Sequence, residues 1–380
     1  MSYASVDALQ NTLSEKVFHY ATDRKKAAGR ALGTLIEIIT FYTLRSWGFR
    51  DSVAIEKPIP EYGNPDITHN VEYSIHPIIE RRKVSLTDVR LPLTASKIRK
   101  AIWGKEREKA DGDNSNQLLS STGILRNSCT VAQSAVGSYV VHLDSWKNDT
   151  GEVSLSLLHH HPFAIFECKR VGIEEGMKKG PQTIEKAKQG AYVARSVSSL
   201  QKIRLKDGRM GGLIHPVSGN LVCEPYEPLI ARIIASGSAD LLHSFVMTVG
   251  VVSNHGNWFT SENHNKELKV LAQSYDWLLF LTDGGLADFI NELLLRPTKE
   301  LAPARKAFLA SYTGNKGKNR FTKVQMDAVA DAVLVEYFAT HAKRIESWFN
   351  IITPKGQTLK GLHAALTTLS KKNWKEIHSV

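Results

Sequence analysis

The sequence of 380 residues predicts an α/β fold in which a mixed central β-sheet is flanked by helices. Apolar runs of strand length recur along the first part of the chain, for example at 163–169 and 244–253. Stretches with helical spacing of apolar side chains, such as 30–47 and 181–200, alternate with apolar runs along the chain. This alternation favours a sheet covered on both faces, and a hydrophobic content of 42% is sufficient for a large core.

The first expected elements are a helix, a strand, a turn and a second strand. Residues 30–47 are almost entirely apolar, contain one internal carboxylate, Glu37, and stop at Gly48, which favours a helix end. Residues 52–59 alternate as a strand, and 67–79 are a further extended segment. Between them, the sequence EYGNPD has turn composition and ends in Asp66.

The rest of the chain divides at two points. Residues 80–151 interrupt the regular pattern with basic and Ser/Asn-rich sequence, and we interpret them as an insertion into a core that covers 1–285. A short helix is expected inside the insertion, from Thr94 to Trp103. From residue 286 to 380 the spacing is helical, most clearly at 324–349, which predicts a C-terminal helical region.

Composition narrows the class of function. The net charge of +11 at pH 7 favours a polyanionic partner such as nucleic acid. The three cysteines have no C-x-x-C spacing, which argues against a structural zinc site and against a disulfide framework. No apolar stretch has the length of a spanning helix and the start has no leader pattern, so we expect a soluble, cytoplasmic protein that does not bind membranes.

The most informative motif is Phe-Ala-Ile-Phe-Glu-Cys-Lys at 163–169. It reads as a buried strand, and because side chains alternate between the faces of a strand, Glu167 and Lys169 are expected on the same side. Buried charges are costly unless they are paired, hydrated or bound to a metal. A carboxylate and an ammonium at the end of a core strand therefore indicate a functional site.

Three features together resemble the PD-(D/E)xK nuclease superfamily, and type II restriction endonucleases in particular. They are Pro65-Asp66 at a turn before a strand, Glu167-Cys168-Lys169 at a strand end, and a following helix that contains Gln189 and Tyr192. The resemblance covers the architecture of roughly residues 29–282. It implies a restriction endonuclease-like core and a homodimeric, Mg²⁺-dependent endodeoxyribonuclease that cuts duplex DNA at a specific sequence.

The resemblance also implies roles for individual residues. Asp66 and Glu167 would ligate Mg²⁺, together with the carbonyl of Cys168. Lys169 would orient or help to deprotonate the attacking water and stabilise the charge of the transition state. Glu37 would contribute through a metal-bound water. Asp144 is a rival to Asp66 as the second carboxylate, because it lies much nearer to Glu167 in the sequence.

DNA contacts are expected from the basic segment 81–109, the basic cluster 314–323 and the helix after the motif. The candidate residues are Arg81, Arg82, Lys83, Lys97, Arg99, Lys100, Lys105, Gln189, Lys316, Lys318 and Arg320. Two other functions fit the same residues: a repair or junction nuclease of the same superfamily, which would read DNA shape, and a non-catalytic DNA-binding protein with the same fold.

Overall fold

The computed structural model describes residues 6–104, 116–171, 182–254, 266–312 and 320–379, and within these ranges the chain has the predicted mixed α/β fold. Its strands are β1 (Val53–Ile55), β2 (Pro58–Glu61), β3 (Asn64–Asn70), β4 (Tyr73–Ile75), β5 (Ile78–Leu86), β6 (Leu93–Thr94), β7 (Gln117–Leu119), β8 (Ile124–Arg126), β9 (Cys129–Gln133), β10 (Gly137–Lys147), β11 (Thr150–His159), β12 (Ala164–Val171), β13 (Leu200–Arg204), β14 (Met210–Ile214), β15 (Val222–Pro225), β16 (Met247–Asn254), β17 (Trp277–Leu281), β18 (Gln325–Asp327) and β19 (Phe349–Thr353).

Its helices are α1 (Val6–Lys16), α2 (Arg24–Ser46), α3 (Ala95–Trp103), α4 (Gln182–Ser196), α5 (Tyr226–Ala235), α6 (Ala239–Leu242), α7 (Lys266–Ala272), α8 (Asp283–Ile290), α9 (Ala302–Tyr312), α10 (Ala328–Thr340), α11 (Ala342–Glu346), α12 (Leu359–Ser370) and α13 (Trp374–Ile377). A 3-10 turn at Arg50–Ser52 and a π-helical turn at Asn291–Leu295 complete the regular elements of the described ranges. No helix among these residues is long and apolar enough to cross a membrane.

A mixed sheet of six strands, in the order β1-β4-β12-β16-β17-β19, forms the centre of the molecule. β12 pairs antiparallel with β4 and parallel with β16, and β16 pairs parallel with β17. Helices α2 and α4 both pack against β12. The strand β12 is therefore covered by helices, which explains the continuous apolar run at its start.

Helix α2 is longer than the sequence pattern predicts, and its ends have clear local causes. The Asp23 side chain accepts a hydrogen bond from the backbone N–H of Lys26 at 2.9 Å and caps the first turn. Gly48 follows the last turn with φ of +87°, in the left-handed region that glycine adopts without strain. Twelve of the residues of α2 are buried, so tertiary packing holds it in place.

The segment interpreted as an insertion contains a second β-sheet, whose bounds differ slightly from 80–151. The strands β5, β11, β10 and β9 form an antiparallel sheet that starts at residue 78 and ends at 159. Its buried side chains, including Leu86, Ile98 and Val141, make a hydrophobic cluster separate from the main core. The predicted helix is observed as α3, with Thr94 as its cap.

The C-terminal part is more closely joined to the core than the helical spacing suggests. It contributes β19 to the edge of the central sheet and β18 to a second sheet, where β18 pairs with β8 of the insertion. The main hydrophobic cluster contains residues from both parts of the chain, from Leu9 of α1 to Ile377 of α13. The division at residue 286 is therefore a change of pattern in the sequence and not a boundary in the fold.

Candidate functional site

Glu167 and Lys169 lie on the same face of β12, as the alternation predicted. Glu167 Oε2 is 3.2 Å from Lys169 Nζ, and the two side chains are 5% and 34% exposed. Gly190 of α4 covers this face, because a Cβ atom added there would lie 3.4 Å from Lys169 Cε and 3.9 Å from Glu167 Cβ. The helix thus approaches the motif closely where it has no side chain.

The second carboxylate of this site is Glu72, which the sequence analysis missed. β4 and β12 pair with Tyr73 opposite Phe166 and Ser74 opposite Ile165, and one further step of the same register places Glu72 opposite Glu167. Glu72 Oε2 accepts a hydrogen bond of 3.1 Å from the backbone N–H of Cys168. The Glu72 carboxylate therefore accepts a backbone hydrogen bond from β12 just beyond the point where β4 ends.

The backbone of Cys168 faces the same opening. The Phe163 carbonyl bonds to Met247 of β16, so by alternation the N–H and C=O groups of Cys168 point to the β4 side. Its thiol points elsewhere, 3.4 Å from the hydroxyl of Thr40 on α2. The Cys168 carbonyl is therefore oriented toward the space beyond the end of β4, beside Glu72.

A lysine from the C-terminal region completes the cluster. Lys323 is only 7% exposed, and its ammonium lies 3.4 Å from Glu37, 3.3 Å from Glu56 and in direct contact with Glu72. The backbone carbonyl of Lys323 accepts a hydrogen bond of 2.9 Å from Asn127 Nδ2. The insertion thus binds the backbone of Lys323, while the Lys323 ammonium neutralises the carboxylates.

Electrostatics in the cluster favour charged ammonium groups and weakened acids. Burial, followed by the neighbouring Glu72 carboxylate, raises the pKa of Glu37 to about 7, although Lys323 opposes the shift. Burial also raises the pKa of Glu167, against the opposing effect of Lys169. Burial alone would lower the pKa of both lysines, but the facing carboxylates outweigh it and the net pKa of each is raised. Both lysines are therefore cations at neutral pH.

Two sequence-based assignments of the second carboxylate need correction. Asp66 lies on the exposed strand β3, and the β2–β3 hairpin forms its own two-stranded sheet outside the central one. Asp144 lies on β10, where it accepts hydrogen bonds of 2.7 Å from Arg50 and from Ser154. Asp66 thus lies on an exposed hairpin strand, and Asp144 forms an ion pair with Arg50. Glu72 takes the position beside Glu167 that was assigned to them.

Only some of the predicted DNA-contacting residues are exposed. Arg81, Arg82 and Lys83 lie exposed on β5, and Arg81 pairs with Asp51 at 2.5 Å. Lys100, Gln189 and Arg320 are exposed, whereas Lys97 binds the carbonyls of Arg90 and Pro92. Lys105, Lys316 and Lys318 lie outside the described residues.

Arg99 cannot serve as a surface contact. It is 0% exposed, and its guanidinium donates a 2.6 Å hydrogen bond to the carbonyl of Val131. On the amphipathic helix α3 it faces the insertion sheet, where its side chain links the helix to β9. The prediction for Arg99 is therefore wrong, because the basic sequence pattern does not distinguish the inner face of a short helix from its outer face.

The arrangement offers oxygen donors for a hard cation. The carboxylates of Glu72 and Glu167 and the carbonyl of Cys168 are of the type that Mg²⁺ prefers, since it binds few protein ligands and retains several waters. Among the described residues, no group of three or more His, Cys, Asp and Glu side chains is arranged to hold a metal. A cation here would rely on two carboxylates, one carbonyl and water.

Comparison of the chain with models of protein families, with curated proteins and with solved structures found no match. The chemistry of the site must therefore be argued from its own residues.

Proposed function

We propose that the protein is a Mg²⁺-dependent endodeoxyribonuclease that cuts duplex DNA, with the catalytic cluster at the ends of β4 and β12. The observation that supports this most directly is the placement of Glu72 opposite Glu167 in register, with Lys169 on the same face as Glu167. Two carboxylates beside an ammonium, next to a backbone carbonyl, form the residue set that the PD-(D/E)xK resemblance implies, with Glu72 in place of Asp66.

The order of elements supports the same proposal. Helix α2 precedes β1 and β4, the insertion follows, and then come β12, helix α4 and β16. This is the order of helix, strands, helix and strand expected for a restriction endonuclease-like core. The finer assignment to type II restriction enzymes rests on the resemblance, as does the homodimer that palindromic sites would require.

Each residue of the cluster has a distinct task. Glu72, Glu167 and the Cys168 carbonyl would hold the Mg²⁺ ion, which supplies positive charge against the phosphate when bound. Lys169 lies 3.2 Å from Glu167, and its ammonium would stabilise negative charge on the phosphate and position the attacking water. Gly190 allows α4 to approach Glu167 and Lys169 closely, because a Cβ atom there would lie 3.4 Å from Lys169 Cε and 3.9 Å from Glu167 Cβ.

The test is cleavage of a mixed-sequence supercoiled plasmid in the presence of Mg²⁺. We expect Glu72→Gln and Lys169→Gln each to lower the cleavage rate by about 10²–10³-fold, the usual effect of removing one preorganised charged group. Both should still bind duplex DNA in EDTA. Asp66→Asn is the matched control, because it changes a carboxylate of the original motif that lies in the exposed hairpin.

The products distinguish the competing functions. Discrete fragments support a restriction enzyme, whereas cutting confined to branched or damaged DNA supports a repair nuclease. A wild-type protein that binds duplex DNA but leaves the plasmid intact would support the non-catalytic reading. Full activity in Glu72→Gln combined with none in Asp66→Asn would show that the register-based assignment is wrong.

A further inference from the structure

A polar cavity lies where the insertion meets the C-terminal region. Its volume is about 240 Å³. Its polar lining comes from β7, β8, the turn that follows β7, and the segment that leads into β18: Gln117, Ser120, Thr122, Arg126, Arg320 and Gln325. Because pockets for drug-sized ligands measure roughly 300–1,000 Å³, this cavity suits a smaller group.

The charge of the cavity is positive and uncompensated within the described part of the chain. Neither Arg126 nor Arg320 forms an ion pair with a described residue, and no described residue lining the cavity is acidic. Asp327 belongs to the same strand pair, but its carboxylate accepts hydrogen bonds from the N–H groups of Val329 and Ala330 and caps α10. The cavity therefore presents two guanidinium groups that have no carboxylate partner there.

The register of the strand pair places Arg126 beside Gln325, and Arg320 lines the same cavity. Arg126 is the direct antiparallel partner of Gln325, so both side chains leave the same face of the β8–β18 pair. Guanidinium groups bind phosphate oxygens with two parallel hydrogen bonds, and the amide and hydroxyl groups around them offer both donors and acceptors. This combination fits a phosphodiester unit of a nucleic acid strand.

The cavity is also connected to the catalytic cluster. Asn127 follows Arg126 directly and donates two hydrogen bonds to the segment that carries Lys323: its backbone N–H to the Val324 carbonyl and its side-chain amide to the Lys323 carbonyl. Arg320, Lys323 and Gln325 belong to one short segment. A phosphate in the cavity would therefore lie within a few residues of the ammonium that contacts Glu72.

We propose that this cavity is a phosphate-binding subsite for the DNA strand that enters the catalytic cluster, an inference that rests on the proposed nuclease function. Arg126 and Arg320 bind the phosphate oxygens, and the flanking glutamines contact the sugar or the base edge. The subsite positions the strand and leaves the chemistry to the cluster around Glu167.

The test measures binding of a labelled mixed-sequence DNA duplex by fluorescence anisotropy, in EDTA and over a series of salt concentrations. For the double variant Arg126→Gln/Arg320→Gln we expect affinity to fall about tenfold per arginine. The slope of log affinity against log salt should decrease in magnitude by about 1, since the two arginines bind one phosphate and each phosphate contact contributes about 0.9 to the slope.

The control is Arg209→Gln/Arg232→Gln, which removes the same charge from exposed arginines paired with Asp207 and Glu224. It should leave the slope unchanged. An equal loss of slope in both double variants, an unchanged slope in Arg126→Gln/Arg320→Gln, or a wild type that binds no duplex would each overturn the proposal. Because binding is measured without metal, it stands apart from plasmid cleavage: a protein that binds through these arginines but never cuts retains the subsite and loses the nuclease assignment.

Discussion

Replacing Lys323 by methionine removes the ammonium that neutralises the carboxylate cluster and retains most of its aliphatic stem. The side chains of Lys323 and Glu72 are 7% and 8% exposed, so they form a buried pair. Removing one partner of a buried pair costs about 3–5 kcal/mol, because the remaining charge is left uncompensated. Glu37 is a second carboxyl group that faces the same ammonium, at 3.4 Å.

This free energy converts into a measurable shift in Tm. Unfolding entropy is about 2.1 cal/mol/K per residue, which gives about 0.8 kcal/mol/K for a chain of this length. Lys323→Met should therefore lower Tm by roughly 4–6 °C in EDTA. Bound Mg²⁺ replaces the missing positive charge, and at a concentration of 100 Kd it would return about 2.7 kcal/mol, or roughly 3 °C.

The assay is thermal unfolding, followed by circular dichroism, with EDTA or with increasing Mg²⁺. Lys57→Met is the matched control, since the Lys57 ammonium contacts Ser138 at 3.4 Å and burial lowers its pKa to about 8. Its Tm should be equal to or higher than that of wild type and should show no additional response to Mg²⁺. An unchanged Tm for Lys323→Met in EDTA would refute the role of the ammonium. A decrease in Tm that Mg²⁺ does not reduce would refute the metal site.

Two further variants test the packing around the site and the effect of acid. Gly190→Ala places a Cβ atom 2.9 Å from Tyr275 Oη. We therefore expect the free energy of unfolding in urea to fall by about 1–3 kcal/mol and DNA cleavage to be slower. The control is Gly33→Ala in α2, where nothing lies within 4 Å of the added Cβ atom, and its free energy of unfolding should rise by about 0.5–1 kcal/mol. A stabilised Gly190→Ala would contradict the close approach. Burial, followed by the neighbouring histidines, lowers the pKa of His378 from 6.5 to about 3. As the pH falls, the imidazole is therefore protonated in the unfolded chain before it is protonated in the folded protein. Its contribution to the free energy of unfolding is fully present above pH 6.5 and is lost as the pH falls toward 3. His378→Phe should reduce the pH dependence of the free energy of unfolding in urea across that range, whereas His215→Phe, at an exposed histidine, should not. The same pH dependence in both variants would exclude a role for His378.

Much of the site follows from short-range rules in the sequence. Alternation along a strand placed Glu167 and Lys169 on one face, and the apolar spacing of α2 located Glu37 on a buried helix beside them. The recurrence of strands and helices predicted the mixed sheet. These features depend on side chains a few positions apart, and the local pattern therefore determines them.

The missed residues depend on contacts between distant segments. Glu72 precedes a strand of three residues, too short for periodicity to separate from the turn before it, and Pro65-Asp66 has the stronger local signal. Glu72 can be identified only when the register of β4 against β12 is known. Lys323 stood out only as part of the basic cluster 314–323, which was expected to contact DNA. Its place among the carboxylates depends on the pairing of β18 with β8, which the local sequence does not reveal.

The cluster also has a consequence for the timing of synthesis. Glu37, Glu72 and Glu167 have left the ribosome well before Lys323, and at ordinary translation rates the interval from Glu167 to Lys323 is roughly 10–30 s. During that time the nascent chain holds acidic groups that repel one another, with Lys169 as their only cation within the described cluster. The site closes only when the C-terminal segment arrives, so a truncated or unfinished chain lacks the lysine that holds its carboxylates together.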